Sequence, residues 1–126
     1  MTGNARQITT TWDELGWQPT KSGGRSSRLL VGDADDAPMV MMVRFPPGAV
    51  VQPHTHDTDY CEMILEGEQT IGKHTHGAGT VRVVKAGTGY GPITCGPEGA
   101  VALFFFRDHR AQPAVPLPRQ SAAASG

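Results

Sequence analysis

Residues 48–67 read GAVVQPHTHDTDYCEMILEG, and this stretch decides how the rest of the chain is understood. Two histidines, His54 and His56, stand one residue apart behind a glycine and a proline. A mixed apolar and carboxylate run then leads to Glu66 and Gly67. On an extended strand, residues i and i+2 face the same side about 6–7 Å apart. Two imidazoles at that spacing can lean toward one cation, which suits zinc or a late first-row metal.

Outward from this pair, the chain reads as a small β scaffold. Its 126 residues are enough for one domain with a single core. A hydrophobic share of 38%, with 16 glycines and 10 prolines, favours many turns and short strands over long helices. The formal net charge of -1 gives no electrostatic basis for binding nucleic acid or an anionic membrane. The longest wholly apolar run, Ala100–Phe106, is far too short to span a bilayer. The N-terminal MTGNARQITTTW has no apolar signal core after Arg6, so a cytoplasmic protein is expected. Cys61 and Cys95 are too few for a disulfide framework and read as two reduced thiols.

Three segments are expected: an N-terminal arm and loop over 1–27, a β-barrel domain over 28–110, and a flexible tail rich in Pro, Ala and Ser over 111–126. In the arm, TTWDELGW predicts a short helical turn, capped by Thr11 with Glu14 in capping-box position. Trp12, Leu15 and Trp17 then pack over one opening of the core. Strand-like runs follow at 28–31, 39–45, 50–52, 59–65, 68–72, 80–84, 90–93 and 101–106. The turns between them are GDADDAP, PPG, EGE, HGAG, KAGTG and CGPEG. About eight short strands at this spacing predict an all-β sandwich or barrel.

The pattern G-x5-H-x-H ending in L-E-G, followed by A-G-T-x-Y-G-P, resembles the two blocks of the cupin superfamily. Gly48, His54, His56, Glu66 and Gly67 match the first block, and Ala86, Gly87 and Thr88 fall in the turn of the second. The resemblance covers roughly 39–106 and implies an all-β, single-domain cupin-type β-barrel, the double-stranded β-helix or jelly roll. It does not imply one activity, because cupins host dioxygenases, isomerases, lyases, cyclases and binding proteins. The chain departs from the common pattern at two ligand positions. Tyr60 stands where the first block has a glutamate, and Tyr90 where the second has a histidine. Only His54 and His56 carry over as ligands.

Strand alternation supplies a third candidate. If Tyr60 faces the interior, so do Glu62 and Ile64, while Cys61, Met63 and Leu65 face outward. A buried carboxylate needs a cation or a hydrogen-bonding partner. Some metal-dependent cupin lyases resemble this arrangement with the two types exchanged, glutamate first and tyrosine second. The expected centre is therefore a divalent metal on His54, His56 and Glu62, with Tyr60 and Tyr90 beside it. Iron suits two histidines and a carboxylate with open positions, and zinc, manganese and nickel are alternatives. A bulge at Asp59-Tyr60 would instead turn Glu62 outward and bring in Asp59. Tyr60 and Tyr90 line the pocket, or take part in proton transfer with Glu62. His74 and His76, in KHTHGAG, read as a solvated turn and His109 as exposed, while Cys95 would need a depressed pKa to react.

An enzyme of this design would act on a small organic molecule as a dioxygenase, lyase or cyclase. Met39, Met41, Val43, Ile64 and residues of 104–106 would give it an apolar pocket for a hydrophobic or aromatic substrate. The rival reading is a binding or sensing module with a decayed metal centre. Edge strands such as 28–31 predict a homodimer.

Overall fold

The computed structural model describes residues 7–30 and 37–108, together with the backbone of 115–116. Its single helix of the described residues, α1 (Trp12–Leu15), starts at Thr11, whose hydroxyl accepts the Glu14 backbone N–H at 3.3 Å. This is the expected cap. Trp12, Leu15 and Trp17 are half-buried, and the guanidinium groups of Arg25 and Arg44 lie 5.7 and 5.1 Å from the Trp17 ring.

Among the described residues ten strands follow: β1 (Gln18–Pro19), β2 (Arg25–Leu30), β3 (Met39–Phe45), β4 (Val50–Val51), β5 (His54–Thr55), β6 (Tyr60–Ile71), β7 (His74–Gly77), β8 (Val81–Val84), β9 (Ile93–Phe106) and β10 (Val115–Pro116). Every pairing is antiparallel, as the turn-rich sequence predicts. The main ladder runs β1-β2-β3-β9-β6-β7, with β4 added to β9 and β8 to β6, while β5 pairs with β10. Among the described residues this ladder does not close on itself. Two long strands organise it. β6 uses one edge twice, pairing β8 through 60–63 and β7 through 68–71, while β9 lies along its other edge.

Both long strands were expected to be broken by turns. In β6, Ile64 pairs with Ala102 and Glu66 with Val101, so Leu65 is the extra residue of a bulge rather than the start of a turn. In β9, Cys95 pairs with Gln69 and Ala100 with Gly67, so the GPEG segment 96–99 arches out while the strand resumes beyond it. Glycine marks both places, joined by Pro97 in β9, and bulges use the same residues that turns use. β7 likewise occupies the stretch read as a solvated turn, pairing Gln69 with His76 and Ile71 with His74. β2 starts at Arg25, three residues before the expected strand, because Ser26 and Ser27 are buried against β3.

The inner face carries Met39, Val43, Tyr60, Val84, Ala102, Phe104 and Phe106 as one buried cluster, with Leu30, Met41, Phe45 and Tyr90 against it. Phe104 and Phe106 stack with ring planes 3° apart. The apolar residues expected to line an open pocket therefore largely fill the interior. Phe105 faces the other way and is exposed. His109, most of the tail over 111–126 and the end of the edge run 28–31 lie outside the described residues.

Candidate functional site

The site begins with backbone pairing between the two sequence blocks. His54 and Tyr90 form an isolated bridge, His54 N–H donating to the Tyr90 carbonyl at 3.1 Å and Tyr90 N–H to the His54 carbonyl at 3.2 Å. Two residues on, Gly87 N–H donates to the His56 carbonyl at 2.9 Å. Asp59 completes the clasp. Its carboxylate accepts Ala86 N–H at 2.8 Å and the Lys85 ammonium at 3.2 Å. Asp59 thus anchors the second-block turn.

Those bonds hold the Asp59 carboxyl below the usual carboxylate range, the Ala86 amide contributing most and Lys85 next. A carboxylate with a depressed folded pKa stabilises the fold above its unfolded pKa, and that stability is lost as pH falls through the folded value. Asp59→Asn should therefore lower the thermal midpoint at neutral pH. The gap from the parent should shrink as both are titrated into acid, and a gap that stays constant with pH would contradict this role.

The clasp brings four rings together. His54 lies 4.9 Å from His56 and 4.8 Å from Tyr90, and His56 lies 5.0 Å from Tyr60, centroid to centroid. Their polar atoms are ordered by hydrogen bonds. His54 Nδ1 donates to the Gln52 carbonyl at 2.9 Å, so in the neutral imidazole Nε2 is left as the acceptor. The Tyr90 hydroxyl donates to that Nε2 at 3.1 Å. Having used its only proton there, Tyr90 accepts from the Tyr60 hydroxyl. Burial is the main cause that raises the phenol pKa of both tyrosines, so both are neutral at physiological pH.

Alternation along β6 holds up to its bulge: Tyr60, Glu62 and Ile64 are buried, while Cys61 and Met63 are only partly so. Glu62 does face inward, but it does not join the histidines. It stands opposite Arg82 in the β6–β8 register, and Arg82 Nη2 donates to Glu62 Oε1 at 2.5 Å. Burial opposes the guanidinium charge, yet the Glu62 carboxylate outweighs it and raises the Arg82 pKa. The same guanidinium lies 4.4 Å from the Tyr90 ring centroid. Among the described residues, no three His, Cys, Asp or Glu side chains are placed to share a metal ion. The set His54, His56 and Glu62 is therefore not assembled, because Arg82 holds the carboxylate.

Glu62 opens instead on a small pocket shared with Ile64, Gln69, Ile71, His76, Thr80 and Arg82, with room for about one water molecule. Glu62 Oε2 and Gln69 Nε2 are buried there without hydrogen-bond partners among the described residues, an acceptor and a donor suited to one water molecule. His76 is half-buried at this pocket while His74 is exposed, so the second His-x-His is not simply a solvated turn. Cys95 is buried, and burial pushes its thiol up to about 11, the opposite of an activated cysteine. Arg82 and Gln69 are the residues that sequence reasoning missed. An arginine in VRVV looks like an outward charge, and only the strand register places it against Glu62.

Residues 5–110 match the family described as the ChrR cupin-like domain, and the chain belongs to that family. The cupin resemblance read from the two blocks is thereby borne out. The fold is similar to an RmlC-like cupin from Shewanella frigidimarina, at 17% identity and a TM-score of 0.66, covering 79% of this chain and 89% of that one. It is also similar to a chain in the complex of Rhodobacter sphaeroides SigE with the anti-sigma ChrR (18%, TM-score 0.62, 76% of this chain and 51% of that one). A third likeness is to Bacillus subtilis oxalate decarboxylase (18%, TM-score 0.71, 92% of this chain and 33% of that one). These likenesses establish the cupin β-barrel fold. The chain spans about half and a third of the latter two. No curated protein sequence matches it significantly. No helix of the described residues is long and apolar enough to cross a membrane.

Proposed function

We propose that this chain is a metal-binding cupin that handles a small organic molecule, with the ion held on His54 and His56. The observation that supports this reading is the gathering of four donor-bearing rings at one inward point, with the His54 Nε2 lone pair aimed among them. A bound metal would supply Lewis-acid or redox chemistry there, with iron preferred and zinc, manganese or nickel as alternatives. The chain's own residues do the rest. Gln52 fixes the His54 tautomer, Arg82 holds the Glu62 carboxylate away from the histidines, and Glu62 Oε2 with Gln69 Nε2 can orient a water molecule in the neighbouring pocket. The chemistry implied is dioxygenase-like or that of a lyase or cyclase, and the fold shared with an oxalate decarboxylase is compatible with it.

A sensing role is the second reading, favoured by membership of the ChrR cupin-like family and by the likeness to a chain of an anti-sigma complex. Elemental analysis of the purified protein separates the two. Stoichiometric metal that is lost in both His54→Ala and His56→Ala supports the first. Metal-free protein that binds a small molecule equally well in both variants supports the second. The reading includes a homodimer: Val83, Cys61 and Phe105 form one cross-sheet row on the outer face, and Val83 is 73% exposed. A monomer by light scattering at working concentration would remove that part.

A further inference from the structure

We propose that Tyr60 and Tyr90 are themselves ligands, completing with His54 and His56 a two-imidazole, two-phenolate centre that selects ferric iron. The inference rests on the metal-binding reading above and goes beyond it in naming the donor set and the oxidation state. Two observations carry it. First, the Tyr60 hydroxyl donates to the Tyr90 hydroxyl and that hydroxyl to Nε2 of His54, so three candidate donor atoms lie along one hydrogen-bonded chain. His56 packs edge-on against both His54 and Tyr60, beside that point.

Second, the carboxylate that would compete for the ion is held elsewhere. Glu62 is paired with Arg82 across the β6–β8 ladder, and the tyrosines supply the oxygen donors that sit beside the histidines. In the metal-free chain two protons stand between these donors, one from Tyr60 to Tyr90 and one from Tyr90 to His54. A cation takes their place, and binding releases both phenol protons to solvent. Buried phenols give up protons only to a strongly polarising ion. Phenolate oxygen is a hard anionic donor, so a trivalent ion is favoured over the divalent ions that two histidines and a carboxylate would suit.

The test supplies iron already oxidised, as ferric nitrilotriacetate, to the metal-stripped full chain. Stoichiometric uptake should give a broad visible absorption band from phenolate-to-iron charge transfer. Resonance Raman excitation within that band should show tyrosinate ring modes. Tyr60→Phe and Tyr90→Phe should each weaken and shift the band, and the double variant should lose it. Ferric iron bound without a visible band, or a band unchanged in the double variant, would overturn the phenolate assignment and leave the histidine pair intact. Failure to bind ferric, ferrous, zinc, manganese or nickel ions would overturn the metal reading itself. If a tyrosine variant does not fold, the Raman spectrum of the parent decides alone: without tyrosinate modes the assignment is wrong.

Discussion

Arg82→Met is expected to destabilise the protein by about 3 kcal/mol, the low end of what breaking a buried ion pair costs. The carboxylate of Glu62 is 2% exposed and, among the described residues, accepts a hydrogen bond from Arg82, whose own side chain is 24% exposed. Removing the guanidinium leaves that carboxylate charged and unpaired beside Ile64 and Ile71. Methionine replaces the aliphatic stem of the arginine and supplies no donor, so the loss is chiefly electrostatic. Adding Glu62→Gln to the Arg82→Met background should restore most of the loss, because the buried charge is gone, and the two effects should be strongly non-additive. Urea unfolding followed by circular dichroism measures all three variants. A loss under about 1 kcal/mol for Arg82→Met would mean that solvent reaches Glu62.

Gly67→Ala should be at least as damaging. Gly67 has φ +74, a conformation that costs a residue with a Cβ about 1–2 kcal/mol. An added Cβ would also run into the carbonyl of Gly99 and the Cα of Ala100 on β9, and backbone cannot swing aside as a side chain does. The expected total is about 3 kcal/mol or more. Gly72→Ala serves as the comparison, since Gly72 also has a positive φ but a Cβ there would meet nothing within 4 Å. It should cost only the conformational part. Equal losses at the two positions would show that the β6–β9 contact yields more readily than its geometry implies.

The same glycine shows what the sequence could and could not disclose. Gly67 closes the block that identifies a cupin, and the inward facing of Tyr60, Glu62 and Ile64 follows from counting residues along one strand. That count needs only local information, and it holds as far as Leu65. Beyond it the bulge resets the alternation, and Gln69 rather than Glu68 becomes the buried residue. Bulges and turns draw on the same glycines and prolines, so EGE and CGPEG gave no local sign that β6 and β9 run on through them. Cross-strand partners are set by register, which no single segment specifies. That is why Glu62 could be placed inside while its captor, Arg82, went unseen.

The gathering of the two histidines with Tyr60 and Tyr90 has the same origin. The His54–Tyr90 bridge and the Asp59 clasp join segments some thirty residues apart, and those pairings are legible only in three dimensions. The most direct test of the site is anomalous diffraction from crystals of the protein grown or soaked with iron. The account predicts an anomalous peak about 2.0–2.2 Å from Nε2 of His54 and from a ring nitrogen of His56, with both tyrosine hydroxyls turned toward it. No peak at that point, with the Tyr90 hydroxyl still donating to His54, would contradict it.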